Sequence, residues 1–138
     1  MEKTLVIVKP EAVIAKLVGK IISIYEDNHL NVIHAHKVLA TREVLKTHYD
    51  ELKEKPFFNE VLDYMSSSEV VVLILEGENV VSIVREIHGA TNPANAKPGT
   101  IRYMFGTGIQ ENAVHGSESV EAAEREIGIW KSIINFEG

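Results

Sequence analysis

Apolar residues follow two periodicities along this chain, one typical of buried strands and the other of amphipathic helices. Uninterrupted aliphatic runs at residues 4–8 and 70–75 predict buried strands. Residues 31–39 have the same strand chemistry, and a short apolar stretch at residues 113–115 predicts one more strand. The pattern therefore predicts a sheet of about four strands.

Helical spacing and capping residues predict the elements between these strands. Apolar positions recur every three or four residues over 13–25, which predicts one amphipathic helix there. Thr41 is a predicted N-cap for a helix through residue 52, and Ser119 for a last helix through residue 127. The other predicted helices run over residues 57–65, opened by Pro56, and 79–88, ended by Gly89.

Residues 89–112 hold four glycines and two prolines, so most of this stretch is predicted to be ordered loop. Long loops in compact domains are usually functional. The resulting order β-α-β-α-α-β-α-β-α describes an α/β sandwich. Because no repeat or linker interrupts this order, we expect a single domain over residues 1–138.

Charge and cysteine content narrow the class of protein. The formal net charge of −6 argues against nucleic acid as a specific partner, because its binders gain affinity from positive surface. The absence of cysteine excludes disulfides and cysteine nucleophiles, and it fits a reducing compartment. The apolar runs are too short for a signal peptide or a membrane span. We expect a cytoplasmic protein without a membrane partner, in which any phosphate site is a local basic island.

The strongest candidate for chemistry lies in residues 112–119, which read NAVHGSES. His115 ends a short apolar stretch and precedes a glycine, which leaves room beside the imidazole. A neutral imidazole is a competent nucleophile at physiological pH. Glu126 follows about two turns into the next predicted helix, where a carboxylate that faces the ring would fix its tautomer. The alternative is a histidine buried at a strand end.

A second group of candidates offers cations and hydroxyls to an anion. Arg85 lies one turn before the long loop, which contains Thr91, Lys97 and Arg102. Two arginines that converge on one site bind a di- or triphosphate through forked hydrogen bonds, whereas scattered charges on a solvated loop are the alternative. Lys9 ends the first predicted strand, where either a phosphate contact or a surface salt bridge would account for it.

Aromatic residues near the middle of the chain are candidates for stacking. Tyr49 lies a few residues before the pair Phe57 and Phe58. An aromatic ring at the mouth of a cleft stacks on a nucleobase without requiring a particular base. Core packing is the alternative for at least one of the two phenylalanines.

Taken together, these segments resemble the nucleoside diphosphate kinase family over essentially the whole chain. Residues 112–119 are similar to its active-site signature, and residues 89–102 to its phosphate-binding stretch. Residues 9–10, 48–49 and 55–58 also match in order and spacing. Five matches in register are far more specific than any one of them.

The resemblance implies a ferredoxin-like α/β (α+β) sandwich, with a βαββαβ core and a four-stranded antiparallel sheet flanked by helices. The implied reaction is ping-pong transfer of the γ-phosphate from a nucleoside triphosphate to a nucleoside diphosphate. His115 would carry the phosphate, supported by Ser117 and Glu126, and Phe57 would stack on the base. The residues that would contact the sugar and the phosphates are Lys9, Tyr49, Arg85, Thr91, Arg102 and Asn112.

The resemblance also implies a metal ion and an assembly. Mg²⁺ would bind mainly through the nucleotide phosphates, without a dedicated protein metal site. The chain would form a homo-oligomer, either a tetramer or a hexamer built from dimers. The chain departs from the usual family pattern at Glu11, Ala15, Tyr103 and Glu118, and none of these departures removes a catalytic group.

Two other hypotheses share the fold. The first is a nucleotide-sensing protein that binds nucleotides without turnover. Loss of His115 would indicate such a protein, but His115 is present. The second is a ferredoxin-like regulatory module, which would not need Lys9, Arg85, Arg102 and His115 together.

Overall fold

The computed structural model describes residues 1–136, and within them four strands form one antiparallel sheet in the order β2-β3-β1-β4. This confirms the predicted four-stranded α/β sandwich. The strands are β1 (Glu2–Val8), β2 (Asn31–Val38), β3 (Val70–Gly77) and β4 (Val114–Gly116). The helices are α1 (Pro10–Ile14), α2 (Val18–Asp27), α3 (Arg42–His48), α4 (Phe58–Met65), α5 (Val80–His88), α6 (Ile101–Phe105) and α7 (Val120–Trp130).

Apolar side chains cover both faces of the sheet. On the interior strand β1, Val6 and Val8 belong to the core under α1, α2 and α5. Leu5 and Ile7 belong to a second core under α3, α4 and α7. Because successive side chains point to opposite faces, a strand buried on both sides reads as a continuous apolar run. This is why β1 and β3 are the strands with uninterrupted aliphatic sequences.

The single helix predicted over residues 13–25 is wrong, because the chain turns between α1 and α2. Lys16 has a φ of +63°. The N–H of Leu17 donates to the carbonyl of Ala12 at 3.0 Å, which is the hydrogen bond of a Schellman helix end. Leu17 and Val18 still pack against the same core, so the apolar periodicity continues across the break. A lysine at the left-handed position hides the helix end that a glycine would have marked.

Other boundaries agree with the sequence more closely. Thr41 and Ser119 are confirmed as N-caps, since their hydroxyls accept from the N–H groups of Val44 and Ala122 at 3.2 and 3.0 Å. The predicted helix through residue 52 instead ends at His48 and is followed by a 3₁₀ turn. The last helix continues to Trp130.

The long loop contains short helices that were not predicted. A 3₁₀ turn spans Pro93–Asn95 and α6 spans Ile101–Phe105. Gly89 ends α5 with a φ of +85°, and a Cβ there would meet the Thr100 hydroxyl at 2.6 Å. Within residues 1–136, no helix combines the length and apolar character that crossing a bilayer requires.

Candidate active site

A cleft of about 600 Å³ opens beside the ends of β1 and β4, between α4 and the long loop. Nine of the ten residues predicted for the site line it, and the tenth, Ser117, is buried and hydrogen-bonded to a residue of the lining. The nine are Lys9, Tyr49, Phe57, Arg85, Thr91, Arg102, Asn112, His115 and Glu126.

His115 lies on β4, where it pairs with Ile7 of the central strand. Its side chain is about 20% exposed, and Nε2 lies 2.9 Å from Oε1 of Glu126 on α7. The following residue, Gly116, packs against the ring of His88, which a Cβ would meet at 3.0 Å. The glycine therefore lets the buried His88 lie directly under the strand that presents His115.

Glu126 is the buried carboxylate that orients this imidazole. Ser117 Oγ donates to the same oxygen, Oε1, at 2.7 Å. Burial favours the neutral carboxyl, but the hydrogen bond and the electrostatic interaction with His115 outweigh it and hold the pKa of Glu126 below its usual value. The ionised carboxylate accepts from Nε2 of His115, so the proton of the neutral ring lies on Nε2 and Nδ1 keeps its lone pair.

Lys9 extends from the end of β1 into the cleft. Its Nζ donates to Asn112 Oδ1 at 2.7 Å and to the Gln110 carbonyl at 3.1 Å. Burial, assisted by the nearby Arg102, lowers the pKa of Lys9 to about 8. Asn112 in turn donates from Nδ2 to the Thr91 carbonyl at 2.9 Å. The lysine is thus held among polar groups inside the cleft rather than in a surface salt bridge.

Two arginines converge on the same cleft. Arg102 donates to the carbonyls of Gly89 and Val114 at 2.9 and 2.8 Å, and its buried Nε has no partner within residues 1–136. Burial, with Arg85 nearby, lowers the pKa of Arg102 to about 10. Arg85 is exposed on α5 and lines the cleft. This cluster of positive charge within an acidic chain suits an anionic ligand.

His48 packs directly against His115, a neighbour that the sequence analysis did not identify. The two rings meet edge to face with centroids 4.7 Å apart, and the ring of Tyr49 also meets His48 edge to face at 4.6 Å. Trp130 donates from Nε1 to His48 Nδ1 at 3.0 Å. Burial lowers the pKa of His48 to about 3, so the ring stays neutral. No local pattern marks this contact, because α3 and β4 are distant in the sequence.

His48, His115 and Glu126 also form a group of potential metal ligands whose atoms lie within 4.8 Å of one another. Two imidazoles and a carboxylate suit Zn²⁺ rather than Mg²⁺, which prefers oxygen ligands. Trp130 occupies Nδ1 of His48, so Nε2 of this ring carries a proton and is not free to ligate.

Two exposed apolar side chains also line the cleft. Phe57 and Ile109 both line it and are 42% and 65% exposed. The neighbouring Phe58 packs instead against the core under α3, α4 and α7. Ile109 was not predicted, because a single apolar residue in a loop has no periodicity to identify it.

A family model and curated relatives both match this chain over nearly its whole length. The family model described as "Nucleoside diphosphate kinase" matches residues 2–133. Two curated relatives with that name, from a Nitratiruptor species and from Caldanaerobacter subterraneus subsp. tengcongensis, are 48% and 49% identical over 130 residues. These matches span 94% of this chain and 95% and 94% of the relatives.

Solved structures are similar over nearly the whole chain. The apo crystal structure of nucleoside diphosphate kinase from Encephalitozoon cuniculi superposes with a TM-score of 0.93 at 38% identity, covering 99% of this chain and 96% of that one. The Aquifex aeolicus nucleoside diphosphate kinase superposes with a TM-score of 0.90 at 38% identity, covering 93% of both chains.

Proposed function

The chain belongs to the nucleoside diphosphate kinase family, and we propose which of its residues perform the reaction of that family. The reaction is ping-pong transfer of the γ-phosphate from a nucleoside triphosphate to a nucleoside diphosphate through a phosphohistidine. We assign the phosphohistidine to His115. The observation that carries this assignment is the contact between Nε2 of His115 and the Glu126 carboxylate, which leaves Nδ1 as the nucleophile.

The first half-reaction forms a bond from Nδ1 of His115 to the γ-phosphorus. The bond from that phosphorus to the bridging oxygen breaks, and the nucleoside diphosphate leaves with the electron pair. The imidazole gains positive charge, which the ionised Glu126 stabilises through Nε2–H. In the second half, a terminal phosphate oxygen of the acceptor attacks the same phosphorus, and the electron pair of the P–N bond returns to Nδ1.

The cations of the cleft are proposed to neutralise the negative charge of the nucleotide phosphates. Phosphoryl transfer depends mainly on positioning and on stabilising the charge of the phosphate oxygens. We assign this role to Lys9, Arg85 and Arg102, which line one cleft together with His115. The remaining polar groups proposed to contact the phosphates or the sugar are Tyr49, Thr91 and Asn112.

The nucleobase is proposed to stack on Phe57. Phe57 and Ile109 are both exposed and both line the cleft. A flat ring stacks on any base, so a site with few contacts to base edges accepts several nucleotides. This supports the low base selectivity expected of a general nucleotide phosphotransferase.

Mg²⁺ is proposed to arrive with the nucleotide. Three cations, Lys9, Arg85 and Arg102, line the cleft and suit phosphate oxygens. Of its three carboxylates, Glu126 is already bound to His115 and Ser117, which does not favour a magnesium cage of protein oxygen ligands. Bound through the phosphates, the ion would neutralise part of their charge. Equilibrium dialysis with and without ATP tests this proposal, since Mg²⁺ retention should depend on the nucleotide.

We further propose that the chain acts as one domain and as a cytoplasmic homo-oligomer, a tetramer or a hexamer built from dimers. The edge strand β2 and the exposed apolar side chains of Leu39, Tyr103 and Met104 support self-association. Sedimentation velocity would determine the number of subunits, and cell fractionation would test the compartment.

The decisive experiment is brief exposure to γ-labelled ATP and Mg²⁺, followed by separation in alkali and a chase with GDP. A phosphohistidine survives base and is lost in acid. Label on the wild type, absent from His115→Ala and released to GDP as GTP, is the expected result. ATP binding without label would favour the nucleotide-sensing hypothesis.

A further inference from the structure

The carboxylate of Glu11 joins α1, which follows Lys9, to α4 and to the residue before β4. Glu11 lies at the start of α1, two residues after Lys9, and both of its carboxylate oxygens accept hydrogen bonds. Oε1 accepts from the hydroxyl of Tyr64 on α4, which lines the cleft. Oε2 accepts from the backbone N–H of Ala113 at 3.0 Å. The reaction described above makes no use of this carboxylate.

Ala113 has a backbone conformation that L-residues rarely adopt, with a φ of +77° and a fully buried side chain. Such a conformation persists when the surrounding structure holds it. Both of its backbone polar groups are bonded, the N–H to Glu11 and the carbonyl to the N–H of Lys9 at 2.9 Å. Ala113 lies between Asn112, which accepts from the Lys9 ammonium, and the strand that carries His115. The φ angle of Ala113 therefore sets the distance between Asn112, with the Lys9 ammonium bound to it, and His115.

The charge of Glu11 also acts on Lys9. The groups that face Lys9 are Glu11 on α1, Tyr64 on α4, Arg102 on α6 and Glu111 in the loop. Burial and Arg102 lower the pKa of Lys9 to about 8, and the two glutamates oppose this shift. Burial and the hydrogen bond to Glu11 raise the pKa of Tyr64, so its ring adds no charge beside the lysine.

We propose that Glu11 is a positioning residue for phosphate transfer, which holds Ala113 in its positive-φ conformation and places a negative charge beside Lys9. This inference rests on the proposed function, because the spacing of Lys9 and His115 matters only if a phosphate is bound and transferred. Glu11 itself does not touch the phosphate.

Glu11→Gln separates the charge from the hydrogen bonds. The amide keeps an oxygen for the N–H of Ala113 and donates to the Tyr64 hydroxyl, so kcat should stay close to that of the wild type. Without the carboxylate, Lys9 loses its proton more easily. The pH at which KM for ATP begins to rise should therefore move to lower values. Glu26→Gln removes the same charge from an exposed position on α2 and should leave the profile unchanged.

Glu11→Ala removes both hydrogen bonds and should lower kcat/KM about 10- to 100-fold, the range for lost support of a reacting group or a 1 Å misplacement. Glycine adopts a positive φ without strain. Ala113→Gly added to Glu11→Ala should therefore recover about fivefold or more of the loss. Ala113→Gly alone, with urea unfolding of all three variants, shows whether this recovery exceeds a general gain in stability.

The inference is overturned if Glu11→Ala keeps kcat/KM within about twofold of the wild type, or if Glu11→Gln leaves the pH profile unmoved. Should Glu11→Ala not fold, the profile of Glu11→Gln decides. A wild type that forms no phosphohistidine would reject the proposed function itself, so the two failures are distinguishable.

Discussion

Nε2 of His115 and Oε1 of Glu126 lie 2.9 Å apart, although one residue belongs to the edge strand β4 and the other to α7. The same carboxylate oxygen accepts from Ser117 at 2.7 Å. Because the carboxylate is ionised, this contact determines which nitrogen of the imidazole carries the proton. The proposed nucleophilic nitrogen is therefore selected by a helix that packs on the same face of the sheet as the His115 side chain.

Glu126→Gln should slow the formation of phosphohistidine. Glutamine carries no charge and offers a donor as well as an acceptor, so it supports the Nε2–H form of His115 less strongly. We expect the rate to fall about 10- to 100-fold with little change in ATP affinity. Rapid-quench labelling measures the rate, and Glu124→Gln, exposed on the same helix, is the matched control. Equal rates in the two variants would contradict the orienting role.

Lys9 should make nucleotide binding weaken in mildly alkaline solution. Its pKa of about 8 lies below the usual value, so the ammonium loses its charge as pH rises through this range. We expect kcat/KM for ATP to fall by up to about tenfold per pH unit above the pKa of the free enzyme. Lys9→Met lacks the charge at every pH, so its kcat/KM for ATP should be low and should not change over this pH range. Parallel profiles for the two proteins would argue against a phosphate contact.

Arg102→Ala should weaken nucleotide binding and stability together. The lost phosphate contact should cost about 1.5–3 kcal/mol of binding, seen as a higher KM. The carbonyls of Gly89 and Val114 also lose their donors, at about 1 kcal/mol each in the free energy of unfolding. Arg102→Lys keeps the positive charge but lacks the forked donors of the guanidinium. Compared with Arg102→Ala, it should therefore bring KM closer to the wild-type value than it brings the free energy of unfolding. Steady-state kinetics and urea unfolding test this, and an unchanged KM would confine Arg102 to a structural role.

Phe57→Ala should raise KM for ATP and for GTP alike. Loss of stacking on an aromatic ring costs about 1–3 kcal/mol per base, or about 5- to 150-fold in KM. Phe58→Ala is the neighbouring control, because this ring packs against the core and its loss should lower the melting temperature instead. An effect of Phe57→Ala on only one of the two nucleotides would indicate recognition of base edges rather than stacking.

The sequence pattern predicted strands and helix starts correctly where their formation depends on residues close together in the chain. The aliphatic runs of β1 and β3 are buried on both faces, so their identity does not depend on how the sheet is oriented. The caps at Thr41 and Ser119 bond to N–H groups three residues ahead. The helix end at Lys16 escaped prediction, because Val13 before the turn and Leu17 and Val18 after it all pack against the same core.

The sequence by itself determined the inventory of this site: an imidazole before a glycine, cations at a strand end and in a loop, and exposed aromatic rings. Only the tertiary structure decided which of these groups meet. Lys9 and Asn112 are 103 residues apart in the chain, yet 2.7 Å apart in space. Such contacts depend on the antiparallel pairing of β1 with β4 and on the packing of α3 and α7 against the sheet. Spacing along the chain carries no information about strand register or helix placement, which is why Glu126 and His48 became neighbours of His115 only in the folded protein.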